Sequence, residues 1–163
     1  MTSVILNGEA SGIFAALADD LIAAGFVLVG TPPAAMLINL GADAHAAMAT
    51  ATAFAEAVPA GQEALIVNLL RAAAPNDWPA ASAAATLWAF TRHMALAWAP
   101  RRIRVNALGL GSSPVLPGQA AEEAGRAAGA APAQAATPGD VAATILAFWR
   151  LPSMTGQLIR LAA

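Results

Sequence analysis

The fold is decided by the stretch from Ala64 to Leu108. It reads ALIVNLL at residues 64–70, PAASAAATLWAFTRHMALAWAP at residues 79–100 and RRIRVNAL at residues 101–108. The outer segments contain the short apolar runs typical of buried strands, at Leu65–Leu70 and Ile103–Leu108, and the middle one is long enough for a helix from about Pro79 to Trp98. A strand, a long helix and a second strand in this order predict one crossover between two parallel strands.

The chain before this stretch continues the alternation. Val4 to Leu6 is a short apolar run, and a helix is predicted from near Ser11 to its end at Gly25, with apolar residues every four positions. Two further apolar runs follow, Phe26 to Val29 and Met36 to Leu40. Continuous apolar runs are typical of parallel strands that are covered on both faces.

A second helix is predicted at Asp43–Val58, just before the central stretch. After it, the segment from Gly109 to Gly139 is rich in Gly, Pro and Ala and predicts a loop with one short helix near Ala120 to Ala128. Thr137-Pro138-Gly139-Asp140 predicts a helix start with Thr137 as its N-cap. Gln157 to Leu161 is the last predicted strand. The alternation indicates a single α/β domain over residues 1–163, with a doubly wound parallel sheet of about six strands in three layers.

The composition restricts the class of function. Hydrophobic residues make up 58% of the chain and charged residues 11%, whereas an ordinary soluble chain has about 25% charged residues. Much of the surface is therefore expected to be apolar or covered by a partner. The net charge of -2 without any block of like charge argues against binding to nucleic acid. The chain has no Cys, Tyr or Lys, and no His, Asp and Glu cluster has metal-ligand spacing, so no metal site is expected.

One uncharged stretch, Leu21 to Ala42, is long enough to suggest a membrane span. Gly25, Gly30 and the Pro32-Pro33 pair interrupt it, so two buried strands joined by a turn are the preferred interpretation and no membrane partner is expected. The N-terminus lacks a basic region, which argues against a signal peptide and favours a cytoplasmic location.

Several segments resemble one family, the short-chain dehydrogenases/reductases. VILNGEASGIFAALADDLIAAG at residues 4–25 is similar to that family's first strand, glycine loop and helix, and MLINLG at residues 36–41 to its Asn-Asn-Ala-Gly strand. The most specific similarity is TRHMALAWAPRRIRVNAL at residues 91–108; ATPGDVAATILAF and MTGQLIRL resemble the final helix and strand. The resemblance implies a Rossmann-like fold and places four residues at dinucleotide-binding positions, namely Gly8, Gly12, Asn39 and Gly41.

The family's proton-transfer residues are absent from this chain. Counting from the matched segment, Ala80 takes the position of the catalytic Tyr and Ala84 that of the Lys, while the catalytic Ser falls at Leu70 or Arg71. Reduction of a carbonyl needs a proton donor of suitable pKa, and alanine cannot supply one. No catalytic residue is therefore expected.

The cofactor positions are altered as well. Phe14 replaces the third glycine of the loop, and Glu9 adds a carboxylate where phosphates would lie. The charged residue expected after the second strand is replaced by Gly30-Thr31. The family's second helix, third strand and third helix, which form the adenine-side edge, are deleted. We therefore expect no cofactor, with the four dinucleotide-binding positions retained as relics.

The remaining polar residues have simpler interpretations. Arg71 could bind an anion, but a pair with Asp77 is preferred. The cluster at residues 101–104 is expected to offset a helix dipole. His45 is interpreted as part of a solvated helix start, although it could lie in a relic cleft beside Asp43. His93 is expected at an interface or on the surface.

Three functions remain open. The first is a non-catalytic relative of the family that forms a homodimer or tetramer, or serves as the partner subunit of a full-length dehydrogenase, since the resemblance implies an interface built on the long helix. The second is an NAD(P)-dependent oxidoreductase with altered catalytic residues. The third is a small-molecule sensor that uses the cleft near Asn39, Gly41 and Gly111.

Overall fold

Strands and helices alternate along the chain. The computed structural model describes residues 2–8, 12–40, 43–71, 77–110 and 137–161. Its elements are β1 (Thr2–Asn7), α1 (Gly12–Ala23), β2 (Phe26–Leu28), β3 (Met36–Asn39), α2 (Ala44–Ala57), β4 (Ala64–Arg71), α3 (Trp78–Ala97), a short 3-10 helix (Ala99–Arg101), β5 (Ile103–Leu110), α4 (Pro138–Arg150) and β6 (Leu158–Leu161). The short helix predicted near Ala120 to Ala128 lies outside the described residues.

The strands form one six-stranded sheet in the order β2-β1-β3-β4-β5-β6, and all five pairings are parallel. Apolar residues of α1 and α4 pack on one face of the sheet, and those of α2 and α3 pack on the other. This arrangement confirms the predicted α/β class, the number of strands and the three layers.

The central crossover is present as the sequence predicts. β4 and β5 are paired along eight positions, from Ala64 opposite Ile103 to Arg71 opposite Leu110, and α3 connects them. Residues 64–70 of β4 are all buried, because the strand lies inside the sheet with helices on both faces. The apolar run that predicted this strand therefore reflects its two-sided burial.

The β2 edge of the sheet is short. β2 pairs with β1 only from Thr2 to Val4, so it ends three residues before β1 does at Asn7. The connection to β3 occupies only residues 29–35, which leaves no room for a helix. Val29 and Ala34 from this connection pack against the cluster beneath α2. The predicted deletion of the adenine-side elements agrees with this geometry.

The long helix α3 is covered on one side only within the single chain. Its buried residues are Leu87, Thr91 and Ala95, whereas Trp78 is 77% exposed and Leu96 is 79% exposed. If a second subunit covers α3, as the resemblance implies, it must pack on the outer side of the helix, where these residues are exposed. None of the helices in the described ranges is long and apolar enough to cross a membrane.

Candidate functional site

The candidate site lies where the strand order reverses, between the carboxyl ends of β1 and β3. Asn7 and Asn39 end these two strands in register, and Leu40 N donates a 2.7 Å hydrogen bond to Asn7 O. A Cβ atom added at Gly8 would lie 2.9 Å from Leu40 Cβ, which is too close for any side chain. Glycine is therefore required at this turn. Sheets of this type bind their ligands at such a reversal of strand order.

The start of α1 follows the Gly8 turn. The helix begins at Gly12 and has no acidic residue in its first turn, so the partial positive charge of its N-terminus is not offset from within the helix. Phe14, which the sequence suggested would block this position, is half-buried in the first turn. Glu9 and Gly41, the other residues considered for this end of the site, lie outside the described residues.

A ladder of amide side chains crosses the sheet beside the site. Asn7 Nδ2 donates to Asn39 Oδ1 at 2.8 Å, and Asn39 Nδ2 donates to Asn68 Oδ1 at 2.8 Å. Asn68 Nδ2 then donates to Thr91 Oγ1 at 2.9 Å, and the Thr91 hydroxyl donates to Leu87 O at 2.8 Å. Asn39, Asn68 and Thr91 are fully buried. These bonds join β1, β3, β4 and α3 at one level.

The amide ladder was missed in the sequence, although a signal for it exists. Three of the strands contain the same pattern of three apolar residues followed by Asn, as VILN at residues 4–7, MLIN at 36–39 and LIVN at 65–68. Matching patterns on neighbouring parallel strands place their fourth residues side by side. Asn39, predicted at a cofactor position, has its side-chain amide engaged by Asn7, Asn68 and, at 3.3 Å, Ala47 O.

Apolar side chains pack between the end of β4 and the facing side of α3. Leu70 packs in one cluster with Ala84 and Leu87 of α3, whereas Leu69 packs on the opposite face of the sheet. Because successive residues of a strand point to opposite faces, Arg71 points to the same face as Leu69. Of the two residues considered for the serine position, Leu70 is therefore the one that faces α3. Arg71 is exposed at the end of the strand. Neither the Leu70 nor the Ala84 side chain can donate or accept a proton.

The arginine cluster binds the ends of helices, as its dipole role predicts, but the helices are α2 and α4. Arg101 Nη2 donates to Ala55 O near the end of α2. Arg104 donates to Phe148 O, Trp149 O and Leu151 O at the end of α4. Burial lowers the pKa of the Arg104 guanidinium, and the nearby Glu63 partly opposes that shift. The remaining member, Arg102, forms an exposed ion pair with Glu63.

Two aspartates serve as helix caps. Asp77 Oδ1 accepts a hydrogen bond from Ala80 N at 3.1 Å, and the predicted ion pair between Arg71 and Asp77 is not formed. Asp43 Oδ1 accepts from His45 N at 2.8 Å at the exposed start of α2, as the interpretation of a solvated helix start requires. His93 is exposed on α3. Over the described ranges, no group of His, Asp and Glu side chains could hold a metal ion.

The chain is similar to solved structures but to no sequence family. No protein-family model and no curated protein matches it. FolM alternative dihydrofolate reductase 1 from Brucella canis, complexed with NADP, aligns with a TM-score of 0.73 at 21% identity over 99% of this chain and 92% of that one. A small-chain dehydrogenase in complex with NADPH gives 0.73 at 20% identity, over 99% and 97%. 4-Hydroxyisoleucine dehydrogenase complexed with NADH gives 0.75 at 13% identity, over 98% and 97%.

These similarities show that the chain has the fold of the short-chain dehydrogenases/reductases, as the resemblance in its sequence implied. They also correct one expectation. The prediction that this chain has no cofactor, with only relic positions left, is wrong, because solved structures similar to it carry NADP, NADPH or NADH. The prediction gave too much weight to Phe14 and to the deleted edge. The Gly8 turn, the start of α1 and the reversal of strand order all remain.

Proposed function

We propose that this chain binds a nicotinamide dinucleotide at the Gly8 turn without catalysing hydride transfer. In this view it acts as a homodimer or as the partner subunit of an active dehydrogenase. The observation that carries the proposal is a difference between two regions at the carboxyl ends of the strands. The reversal between β1 and β3 keeps its close glycine turn, whereas the region between β4 and α3 is filled by Leu70, Ala84 and Leu87.

The residues at the turn suit a dinucleotide. The absence of a side chain at Gly8 lets the backbone turn tightly, and the N-terminus of α1 at Gly12 presents amide groups of the kind that bind phosphates. These residues would hold the pyrophosphate. When bound, a nicotinamide dinucleotide supplies a hydride donor or acceptor, and the chain's own side chains would have to handle the accompanying proton.

The residues at the family's proton-transfer positions cannot handle that proton. Ala80 and Ala84 stand where the family has Tyr and Lys, and neither Tyr nor Lys occurs anywhere in the chain. Leu70 faces α3 at the serine position and is buried. Without a proton donor of suitable pKa, a carbonyl substrate would lose a contribution of about 10²–10⁴ in rate from general acid catalysis.

The outer side of α3 supports an assembly. Leu96 and Trp78 are largely exposed there, near the two ends of the helix, and a second subunit packed along α3 would cover both. The adjacent α2 carries mainly alanine on its exposed positions, which permits a second helix to approach closely.

Titration of the purified chain with NADH, followed by fluorescence, tests the proposal together with a turnover assay on a panel of ketones and aldehydes. We expect saturable binding and no oxidation of NADH above the rate in buffer. Absence of binding up to about 1 mM, which corresponds to about -4 kcal/mol, would refute the dinucleotide site. Turnover would refute the non-catalytic role.

Turnover would favour the second candidate, an NAD(P)-dependent oxidoreductase with altered catalytic residues. The observation in its favour is that structures sharing the fold are reductases and dehydrogenases. Such an enzyme would need a proton source other than Tyr, so its rate should depend on the pH of the solvent rather than on a side chain of the β4–α3 region.

A further inference from the structure

The residues after β2 bear on which dinucleotide the proposed site would take. In dinucleotide-binding sheets, a carboxylate near the end of the second strand binds the ribose 2′-hydroxyl of NAD, or an Arg there accommodates the 2′-phosphate of NADP. Both NADP and NADH occur among solved structures of this fold, so the fold alone does not decide between them. Any preference for one dinucleotide must come from the residues of this chain. This inference rests on the proposed dinucleotide site.

No charged side chain is available at the end of β2. Residues 26–35 read FVLVGTPPAA and contain neither an acidic nor a basic residue. Gly30 and Thr31 are exposed, and a Cβ atom added at Gly30 would meet nothing within 4 Å. Because the connection passes directly into β3, no helix follows β2 that could supply a cation from elsewhere.

The basic residues lie in the other part of the chain. All eight Arg residues follow residue 70, whereas six of the ten acidic residues precede it. Arg101 and Arg104 bind the ends of α2 and α4, and Arg102 binds Glu63. In contrast, the carboxylate of Asp43 lies exposed just beyond the end of β3.

The Arg71 side chain is too distant to serve the loop. The pairings place Leu28 level with Leu65, so Arg71 lies six residues further along the sheet and three strands across. At about 3.3 Å per residue and about 4.8 Å per strand, Arg71 lies about 25 Å from Leu28 and about 20 Å from the level of Gly30, two residues further along. A single side chain cannot cover that distance.

From these observations we infer that the site takes the dinucleotide without a 2′-phosphate, NAD(H), in preference to NADP(H). A 2′-phosphate at the end of β2 would meet no cation within residues 26–35, and it would add negative charge to a chain whose net charge is already -2. NADPH should bind more weakly than NADH because no cation meets its 2′-phosphate and because negative charge on the chain repels that phosphate. Since salt screens the repulsion, the difference between the two affinities should be largest at low salt.

Titrations of the full chain with NADH and with NADPH, at low and high NaCl, measure the preference. We expect NADH to bind at least about threefold more tightly at low salt, as a weak exposed charge interaction implies, and the ratio to narrow as salt is added. Equal affinities, or tighter binding of NADPH, would overturn the inference while leaving the dinucleotide site intact. Failure of both nucleotides to bind would instead overturn the proposed function, and this inference with it.

A second experiment introduces a positive charge into the loop after β2. Thr31→Arg should tighten NADPH binding about tenfold, as a charge-assisted contact to phosphate can, and change NADH binding little. The control is Gln62→Arg, which adds the same charge to an exposed residue just before β4. If both variants affect NADPH equally, the loop after β2 does not face the ribose and the inference fails.

Discussion

Asn39 and Asn68 lie opposite each other in β3 and β4, and Asn39 Nδ2 donates a 2.8 Å hydrogen bond to Asn68 Oδ1. Neither side chain has any exposed surface. A buried amide without its partner destabilises the folded state because water cannot replace the lost bond. This pair therefore holds the middle of the sheet at a fixed register, directly beside the turn where we place the dinucleotide.

Replacement of Asn68 tests the amide ladder. Asn68→Ala removes the acceptor for Asn39 and the donor for Thr91 in a fully buried region. We expect the free energy of unfolding, measured by urea denaturation, to fall by about 2–4 kcal/mol. Asn7→Ala, at the half-buried end of the same ladder, is the matched control and should cost about 1 kcal/mol. Similar losses in both variants would contradict a cooperative buried ladder.

Gly8 provides a test of the close turn. In Gly8→Ala the new Cβ would lie 2.9 Å from Leu40 Cβ, so the backbone between β1 and β3 must shift. We expect a loss of about 1–3 kcal/mol in stability and weaker binding of NADH. Gly30→Ala is the control, since its Cβ would point into open space and should leave the free energy of unfolding unchanged. An unaltered stability of Gly8→Ala would show that the turn tolerates a side chain.

Arg104 is predicted to stabilise the end of α4. Arg104→Met keeps much of the apolar length of the side chain but removes the donors to Phe148 O, Trp149 O and Leu151 O. The expected loss in the free energy of unfolding is about 1–3 kcal/mol. Arg102→Met breaks only an exposed ion pair and should cost less than about 1 kcal/mol. If the two variants are equally stable, the carbonyl contacts of Arg104 contribute nothing.

The assembly can be tested at Leu96. Because this side chain is 79% exposed, Leu96→Glu should leave the fold intact, as judged by circular dichroism, while it places a charge in any interface on α3. We expect the unmodified chain to be a dimer at micromolar concentration by light scattering and the variant to be a monomer. Ile22→Glu introduces the same charge on α1, on the other face of the sheet, and should remain dimeric. A monomeric unmodified chain would refute self-association.

Stability should also depend on pH through Asp140. The backbone N–H of Thr137, followed by its hydroxyl, donates to this carboxylate and lowers the pKa of Asp140. A lowered folded-state pKa means that the contribution is complete above the ordinary aspartate pKa of about 4 and is lost as the pH falls below it. The effect should be small because the carboxylate is exposed to solvent.

Asp140→Asn measures this contribution. In urea denaturation the variant should be less stable than the unmodified chain at about pH 6, and the difference should shrink toward about pH 3, because the contribution of the charge is lost as the pH falls through the lowered pKa of Asp140. If the variant and the unmodified chain differ by the same free energy of unfolding at both pH values, the effect comes from the shape of the side chain at residue 140 and not from its charge.

The sequence predicted the sheet well because its buried strands contain short apolar runs, such as VIL at residues 4–6, MLI at 36–38 and ALIV at 64–67. It could not decide between Leu70 and Arg71 at the serine position, since that choice depends on which face of the sheet the last residues of β4 occupy. The helices bound by Arg101 and Arg104 are distant in sequence from these residues, so no local pattern identified them. The cofactor prediction failed for a different reason. It compared single residues with a motif, whereas the turn at Gly8 and the order of the strands are properties of the whole sheet.

The parallel pairing of every described strand has a consequence for how the chain folds. Parallel neighbours cannot meet through a tight hairpin, so each pairing first requires closure of a long loop, and folding is expected to be slow. β4, α3 and β5 are consecutive in the chain and share the longest register. We expect this unit to form the folding nucleus, on which the remaining strands then assemble. The stretch that defines the architecture would thus also be the first part of it to exist.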